Sequence, residues 1–509
     1  MTRRIHRTNI ALAICIAAVF AKPSIAEDDD PLPNWLSFDS VRGTFSLRLA
    51  AEEGKEAEVV TIGPILFNNV PLTNFSRRWD GMTGAGFEHP LITIAHSMGD
   101  LLQRPSFRIQ IESADNQPHH IEIPIKDNSD YFGGGERFQA INQKGYLLPM
   151  TSIDRPEPKG TSTYFPVPFY YSTRGYGVWV NSTLPGEFDL NGSDRFHVRL
   201  RYQADSLEIV LFAGPRHADV LRDFNRLVGP PRLPPPWAFA PWKSRDVHRN
   251  REEILEDVEK HRALDIPGSV LVIDSPWETC YNNFELNESQ FVDADAMFAR
   301  MGALGFHTCL WMTPFVNRTN VQDMSGIRVE ACDEFATGAA AGHFVKGKNA
   351  EPLITSWWKG EGALIDFTSD EATAWWHTLL ARTAKWKPRA FKCDDGEGNF
   401  VGDAIFADGA RAEAMRNQYG VFYLHAARQY LAGAFGDDHA IIARTGFTGA
   451  QQHAICWAGD NEASFAFDNG LPSVILAGQT AALSGIPGWG SEISGYFGTP
   501  DKELFIRWT

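Results

Sequence analysis

Five prolines fall within the eight residues from Gly229 to Pro236, and no other feature of the 509-residue chain limits its folding so sharply. Proline has no backbone N–H and fixes φ, so such a segment continues neither a helix nor a central sheet strand. The hydrophobic patterns before and after it also differ. We therefore interpret residues 229–236 as a linker between two domains, which a chain of this length can form.

Residues 27–228 contain short runs in which apolar and polar side chains alternate, separated by clusters of Gly, Asn and Asp. Alternation with a period of two is typical of strands that bury one face, and the even spacing of the runs predicts an antiparallel β-sandwich. The strand candidates include Thr44 to Leu49, Phe107 to Ile111, Ile121 to Ile125, Phe196 to Tyr202 and Leu207 to Phe212.

Residues 237–509 alternate apolar, strand-like runs with runs of helical periodicity. This order predicts a parallel sheet, either a (β/α)₈ barrel or a doubly wound sheet. Seven strand candidates begin at Ala238, Val270, His307, Ala390, Ala440, Ala454 and Ile486. The helix candidates include Glu252 to Leu264, Asp295 to Leu304 and Ser369 to Trp386.

The first 26 residues have the pattern of a signal peptide. Arg3 and Arg7 lie in a basic start, Ile10 to Ala21 form a short apolar stretch, and Ser24 to Ala26 form a small-residue cleavage site. We expect cleavage here, a secreted or periplasmic protein, and no membrane association afterwards. An uncleaved anchor is the alternative, although the apolar stretch is short for a membrane span.

The composition restricts which ligands, cofactors and metals we expect the protein to bind. A net charge of −16 disfavours nucleic acid as a partner and suits a neutral ligand. The chain has no Gly-rich phosphate loop, and its cysteines match no zinc spacing, so no cofactor or metal is expected. Five cysteines remain after the leader, an odd count in which at most some pair and the rest are buried. The 15 tryptophans indicate either a large core or flat platforms for sugar rings.

Several strand candidates end in polar or aromatic residues. In a (β/α)₈ barrel the carboxyl ends of the strands form the active-site face, so residues far apart in sequence meet in one pocket. Asp394 and Asp460 each follow an apolar strand and precede a polar loop. Retaining glycoside hydrolysis needs such a carboxyl pair, one as nucleophile and one as general acid/base.

The segment Ala390-Phe391-Lys392-Cys393-Asp394-Asp395-Gly396-Glu397 resembles the nucleophile segment of glycoside hydrolase family 31, usually Lys-Thr-Asp-Phe-Gly-Glu. The resemblance implies that Asp394 is the nucleophile and that Lys392 lies beside it at the substrate. Asp395 stands where an aromatic residue is usual. The acidic residues here are alternatively a solvated turn or a cation site.

Other segments resemble the same family. Arg444-Thr445-Gly446 and Trp457-Ala458-Gly459-Asp460 resemble its Arg-Ser-Gly and Trp-x-Gly-Asp motifs, which implies that Asp460 is the acid/base and that Arg444 and Trp457 contact substrate. Val270 to Asp274 and Leu310 to Pro314 are similar to strands whose Asp and Trp, here Asp274 and Trp311, bind the sugar next to the cleaved bond. In the first domain, Tyr131 to Phe138 resembles Tyr-x-Gly-x-Gly-Glu-Arg-Phe.

Two departures qualify what the resemblance implies. Glu492 stands where Asp is usual among the substrate contacts, and Thr509 comes before the segment in which family members place an eighth strand. We therefore expect an incomplete, seven-stranded barrel. The predicted function is hydrolysis of terminal α-linked sugars, with α-glucosides favoured. The alternatives are an α-xylosidase, another α-glycosidase or a transglycosidase of the same family, and an inactive sugar-binding fragment.

Overall fold

The computed structural model describes residues 36–49, 59–80, 84–98, 106–155, 160–214, 216–321, 326–327, 329–330 and 332–509. The expected signal peptide, residues 1–26, lies outside the described residues.

Residues 36–213 form two antiparallel sheets that pack face to face, which confirms the predicted sandwich. The strands are β1 Leu36–Asp39, β2 Thr44–Arg48, β3 Val59–Ile62, β4 Leu66–Phe67, β5 Val70–Pro71, β6 Ser76–Asp80, β7 Gly84–His89, β8 Ile92–Met98, β9 Ser106–Ser113, β10 His119–Lys126, β11 Tyr131–Gly135, β12 Tyr146–Met150, β13 Pro166–Ser172, β14 Tyr176–Val180, β15 Gly186–Leu190, β16 His197–Ala204 and β17 Ser206–Ala213. One sheet runs β1-β2-β3-β10-β16-β15-β12, with β4 paired to β10 and β5 to β4, and the other runs β11-β13-β14-β17-β9-β8-β7-β6.

Alternation along each strand builds the core between these sheets. In β9 the side chains of Phe107, Ile109 and Ile111 are buried, and in β16 Val198 and Leu200 are buried, with less buried residues between them. Successive side chains of a strand point to opposite faces, so a period of two turns every apolar residue toward the facing sheet.

Helix α1 His217–Val228 follows the sandwich, and its Phe224 ring stacks on Phe169 with centroids 4.2 Å apart. The proline-rich segment then ends in a 3₁₀ turn, Pro236–Phe239. The expected strand Ala238 to Ser244 is therefore wrong in its first half, because proline presets the helical φ of the turn. Strand β18 covers Trp242–Arg245, directly after Pro241, which lacks a donor for the ladder.

The second domain is built on seven parallel strands, which confirms the expected incomplete barrel sheet. In sheet order the strands are β18, β19 Val270–Ile273, β20 His307–Met312, β24 Ala390–Cys393, β25 Ala440–Ala443, β26 Ile455–Trp457 and β27 Trp489–Gly490. The remaining helices are α2 Arg251–Ala263, α3 Ala294–Ala303, α4 Asp333–Ala341, α5 Asp370–Leu380, α6 Ala412–Phe435, α7 Leu471–Leu483 and α8 Lys502–Trp508, with 3₁₀ turns at Ala381–Trp386, Gly398–Phe400 and Ala450–Gln452.

Two further element boundaries also differ from the sequence expectation. The helix expected to reach Trp386 ends at Leu380 and tightens into a 3₁₀ turn, where the Thr383 hydroxyl donates to the Leu380 carbonyl and competes with the helical ladder. The last strand begins at Trp489 instead of Ile486, because the Ile486 N–H still caps helix α7 through the Ala481 carbonyl.

An inserted three-stranded antiparallel sheet lies between β20 and α5. Its strands are β21 Phe315–Asn320, β22 Ile354–Trp357 and β23 Gly360–Leu364, in the order β21-β23-β22. A disulfide joins Cys280, in the loop after β19, to Cys332, just before α4. Cys309, Cys393 and Cys456 are free and buried, as expected for small apolar side chains.

The sandwich contributes one loop to the face of the barrel where the strands end. The Asn417 side chain on α6 accepts from the Ser152 N–H at 2.8 Å and donates to the Met150 carbonyl at 2.9 Å. The Gly398 N–H donates to the Ser152 carbonyl at 2.9 Å. These bonds place Asp154 beside the loop that follows β24.

Candidate active site

The parallel register of the barrel sheet brings the predicted site residues to one face. Asp274 follows β19, Trp311 lies near the end of β20, Asp394 follows β24 and Arg444 follows β25. Trp457 is the last residue of β26. Parallel strands present their carboxyl ends at the same edge, so residues more than a hundred positions apart become neighbours.

Asp394 is held by donors from three directions. Its Oδ2 accepts from the Trp311 indole Nε1 at 3.0 Å, and its Oδ1 lies 3.4 Å from Arg444 Nη1. The Asp395 N–H donates to Oδ1 at 2.9 Å, and the N–H of Asp394 itself donates to the Met312 carbonyl at 2.9 Å. The carboxyl group is buried, so these fixed donors replace water around it.

Lys392 is the centre of a second cluster. Its Nζ donates to Asp274 Oδ2 at 2.7 Å and to Glu492 Oε1 at 3.2 Å, and lies 4.5 Å from the centre of the Trp457 ring. Burial opposes the charge of Lys392, but Asp274, Glu492 and Asp394 outweigh it and hold the pKa well above its ordinary value. Burial raises the pKa of Glu492 to about 7, against the attraction of Lys392.

Arg444 stands among four carboxyl groups. Its Nε donates to Glu397 Oε1 at 2.8 Å and its Nη2 to Asp395 Oδ1 at 2.7 Å, while Asp154 Oδ2 lies 3.5 Å from Nη2 and Asp394 lies at Nη1. Burial raises the pKa of Glu397 to about 7, although the Arg444 guanidinium lowers it. Four carboxyl groups therefore share the positive charge of one guanidinium.

Asp460 lies on the loop after β26 and is partly exposed. The preceding Gly459 has φ 70°, and a Cβ there would lie 2.4 Å from the ring of Tyr164, so this close approach requires glycine. Negative charge on Asp460 contributes to the raised pKa of Glu492 and of Tyr496, after the larger effect of burial.

The structure thus brings the eight predicted site residues to one end of the barrel sheet. Asp394 contacts Trp311 and Arg444, whereas Lys392 contacts Asp274, Glu492 and Trp457. The interpretation of Asp395 and Glu397 as a solvated acidic turn is wrong, because both are fully buried against Arg444.

Three further residues of this face were missed by the sequence reasoning. Asp154 and Tyr164 come from the sandwich, and the Tyr164 ring lies 5.0 Å from the Arg444 guanidinium. Trp358, between β22 and β23, donates its Nε1 to Asp395 Oδ2 at 3.0 Å. No local signal marks the first two, since only the docking of the domains places them. The Trp357-Trp358 pair in a turn is the one available sign of the third.

Comparison with known sequences identifies the family. Residues 231–509 match the domain described as "Glycosyl hydrolases family 31 TIM-barrel domain". The chain belongs to glycosyl hydrolase family 31. Residues 33–189 match the N-terminal galactose mutarotase-like domain of the same family. The family membership that the sequence motifs predict is thereby confirmed.

The family relatives are longer than this chain. An α-xylosidase of Emericella nidulans is 26% identical over 395 residues, which cover 76% of this chain and 48% of that protein. An isomaltosyltransferase of Sporosarcina globispora is 26% identical over 427 residues, which cover 78% of this chain and 38% of that protein. The chain therefore spans half or less of these relatives.

Solved structures share the fold. A family 31 sulfoquinovosidase from E. rectale superposes with a TM-score of 0.74 at 16% identity, over 93% of this chain and 76% of that one.

None of the helices in the described ranges is long and apolar enough to cross a membrane. Within those ranges, no group of three or more His, Cys, Asp or Glu side chains is arranged to hold a metal ion.

Proposed function

We propose that this chain carries the active site of a retaining α-glycoside hydrolase, with Asp394 as nucleophile and Asp460 as general acid/base. The main support for this proposal is the environment of the Asp394 carboxyl group. Its buried carboxyl group meets an indole N–H, a guanidinium and a backbone N–H, all of which suit an ionised carboxylate. Asp460 lies at the same strand-end face, on the loop after β26.

The proposed reaction has two displacements. Asp394 attacks the anomeric carbon and forms a β-glycosyl ester, while Asp460 gives its proton to the departing oxygen and releases the aglycone. Asp460 then takes a proton from water, which attacks the same carbon and returns Asp394 as a carboxylate. The two inversions give net retention of the α configuration.

The neighbours of Asp394 supply substrate contacts in this proposal. Asp274 and Lys392 bind hydroxyl groups of the sugar that is attacked, and Glu492 orients Lys392. The Trp457 ring lies 4.5 Å from Lys392 Nζ and forms a wall beside the bound sugar. Arg444 and Trp311 hold the nucleophile, and Arg444 adds a contact to the sugar.

The proposed substrates are terminal α-linked sugars, with α-glucosides favoured. The α-xylosidase relative supports xylose as the alternative sugar, since glucose and xylose differ by one hydroxymethyl group, which pockets discriminate only modestly. The isomaltosyltransferase relative supports a second candidate, in which a sugar acceptor replaces water in the second step. Product analysis with excess acceptor separates hydrolysis from transfer.

The test is hydrolysis of 4-nitrophenyl α-glucoside, α-xyloside and α-galactoside by the purified protein and its variants. We expect Asp394→Ala to lose at least about a thousandfold in turnover, because the covalent step disappears. Azide should restore turnover of a glycosyl fluoride by Asp394→Ala and yield the β-azide. With Asp460→Ala, azide should yield the α-azide.

The matched control is Asp403→Ala, an exposed carboxyl 3.8 Å from Lys348, which should keep full turnover. Near-full turnover by both Asp394→Ala and Asp460→Ala would falsify the mechanism. If the wild-type protein cleaves none of the glycosides but binds the free sugars in calorimetry, a pure sugar-binding role replaces it.

We also propose that the protein is exported. The Cys280–Cys332 disulfide supports an oxidising compartment, and the leader pattern of residues 1–26 supports passage across the membrane. N-terminal sequencing of the protein from its host should begin at Glu27. An intact Met1 in the cytoplasmic fraction would overturn this part.

A further inference from the structure

Asp395, the residue after the proposed nucleophile, joins two parts of the active-site face. Its carboxyl group is fully buried. Oδ1 accepts from Arg444 Nη2 at 2.7 Å, and Oδ2 accepts from Trp358 Nε1 at 3.0 Å. One carboxylate therefore links a barrel strand end, at Arg444, to the inserted sheet, at Trp358.

The bond to Arg444 contributes to the orientation of the whole guanidinium. Glu397 takes Nε and Asp395 takes Nη2, which leaves Nη1 at 3.4 Å from Asp394. The guanidinium is planar and its five N–H groups form a rigid fork, so two occupied nitrogens determine where the third points. Asp395 thus acts on Asp394 through Arg444.

The bond to Trp358 holds an aromatic wall on the other side of the nucleophile. The Trp358 ring meets Trp311 edge to face, with centroids 5.8 Å apart, and Trp311 donates to Asp394. Trp358 remains 49% exposed, so packing alone does not confine it. The hydrogen bond from Trp358 Nε1 to Asp395 Oδ2 is the directional contact that keeps this indole beside the site.

We infer that Asp395 is a positioning residue that ties Trp358 to Arg444 across Asp394, and so determines how tightly the sugar at the nucleophile is bound. This inference rests on the proposed function for its kinetic consequence, but not for the hydrogen bonds themselves. A role in folding alone would not require both oxygens to meet donors that flank the nucleophile.

Asp395→Asn tests the link with little risk to folding. The residue has φ 54°, in the left-handed region where Asn and Asp are enriched over other non-glycine residues, and the two side chains are isosteric. The amide oxygen still accepts from Arg444. The amide nitrogen, however, faces the Trp358 N–H, so two donors oppose each other and the bond is lost.

We expect Asp395→Asn to lower kcat/KM about tenfold to a hundredfold, mainly through KM, because a displaced wall weakens substrate binding. Trp358→Phe keeps an aromatic ring but removes the N–H donor, and it should raise KM in the same way. The double variant should be no worse than Asp395→Asn alone, since without the indole N–H the donors no longer clash. Losses that multiply would overturn the link.

Trp357→Phe is the matched control. This neighbouring indole donates to Asn317 Oδ1 at 2.7 Å, away from the Asp395 carboxyl group that accepts from Trp358. The factor by which Trp357→Phe lowers kcat/KM should multiply with the factor for Asp395→Asn. If the double variant Trp357→Phe/Asp395→Asn were no worse than Asp395→Asn alone, general loosening of the turn, and not the Asp395 bond, would explain the kinetics.

A readout without turnover separates this inference from the proposed function. With tryptophan labelled at the indole ¹⁵N, the Trp358 resonance is the one that disappears in Trp358→Phe. In Asp395→Asn it should move upfield and exchange faster with solvent, whatever the enzyme cleaves. An unchanged resonance would overturn the inference, whereas a shifted resonance in a protein that cleaves no glycoside would overturn only the proposed function.

Discussion

Two clusters of carboxyl groups and arginines differ in their access to water, one on a sheet of the sandwich and one at the strand-end face of the barrel. On the sandwich, Arg199 and Arg201 both contact Glu122, and Arg199 also contacts Asp194. Burial of Glu122 raises its pKa, but the two guanidiniums outweigh it and leave the pKa lowered. The Phe196 N–H and other donors lower the pKa of Asp194 to about 2.

At the barrel face the same residue types give the opposite result. Arg444 is 5% exposed in its side chain, against 25% for Arg199. Around it burial raises the pKa of Glu397 to about 7 and raises that of Asp395 well above its ordinary value. Arg444 attracts both carboxyl groups, yet its attraction does not offset the loss of water.

The comparison shows that solvent, and not the presence of an arginine, sets the sign of the shift. An arginine near water is a favourable partner at little cost, whereas taking several carboxyl groups out of water costs more than one cation returns. The buried cluster is thus a place where the fold gives up stability, and groups with perturbed pKa values of this kind are concentrated at functional sites.

The sharpest way to break this comparison is to remove each arginine. We expect Arg444→Met to cost about 3 to 5 kcal/mol of unfolding free energy, because buried carboxyl groups lose their cation. Arg199→Met should cost at most about 1 kcal/mol, because Glu122 keeps Arg201 and solvent screens the rest. Urea unfolding followed by tryptophan fluorescence measures both. Equal losses would contradict the role assigned to burial.

The pH dependence of stability sharpens the comparison further. Glu397 has a pKa of about 7 in the folded protein, against an ordinary 4.5, so the folded state binds its proton more tightly. This group makes the protein more stable as pH falls from about 7 to 4.5, and that contribution is lost as pH rises through 7. Glu397→Gln should flatten the dependence of the unfolding free energy on pH between pH 8 and 5, by at most about 3 kcal/mol. Urea unfolding at each pH provides the measurement.

Asp194 is the control with the opposite sign. Its folded pKa of about 2 lies below the ordinary 3.8, so it contributes stability above pH 4 that disappears as pH falls from about 4 to 2. Asp194→Asn should remove the loss of stability between pH 4 and 2. A loss that persists there in Asp194→Asn, or an unchanged slope between pH 8 and 5 in Glu397→Gln, would reverse the assignment of the two windows.

The smallest expected effect concerns Asp154, a carboxyl group that the sandwich contributes to this face. Asp154 is 28% exposed and lies 3.5 Å from Arg444 Nη2, so Asp154→Asn should change stability by less than about 1 kcal/mol. It should lower kcat/KM by a few-fold, roughly, because Arg444 loses a restraint. Asp130→Asn, an exposed carboxyl that accepts from Asn142, should change neither. Steady-state kinetics with the best nitrophenyl glycoside provides the measurement.

The fold was predictable where side-chain pattern alone sets the structure. The strands β19, β20 and β24 run from Val270, His307 and Ala390, as the apolar runs predict. The inserted sheet was not predicted, because β22 and β23 are stabilised by pairing with β21 and carry no run of apolar residues. The starts of β18 and β27 were misplaced, because prolines and helix caps near them delay the ladder.

The site was predictable as far as its motifs reach. Segments around Asp394, Arg444 and Asp460 identified the family and the strand ends, and their assigned roles stay predictions that the variants above test. The contacts of Arg444 with Asp154 and Tyr164 were not predictable, since these lie on the other domain and nearly 300 residues away in sequence.

The sequence by itself determined which residue types follow which strands, because the local alternation of apolar and polar side chains specifies strands, helices and their order. The tertiary structure alone decided which of those residues are deprived of water and which nitrogen faces which oxygen. By sequence alone a solvated turn remained an alternative for Asp395 and Glu397, yet packing buries both against Arg444. Burial is a property of the assembled fold, and it is burial that raises their pKa values.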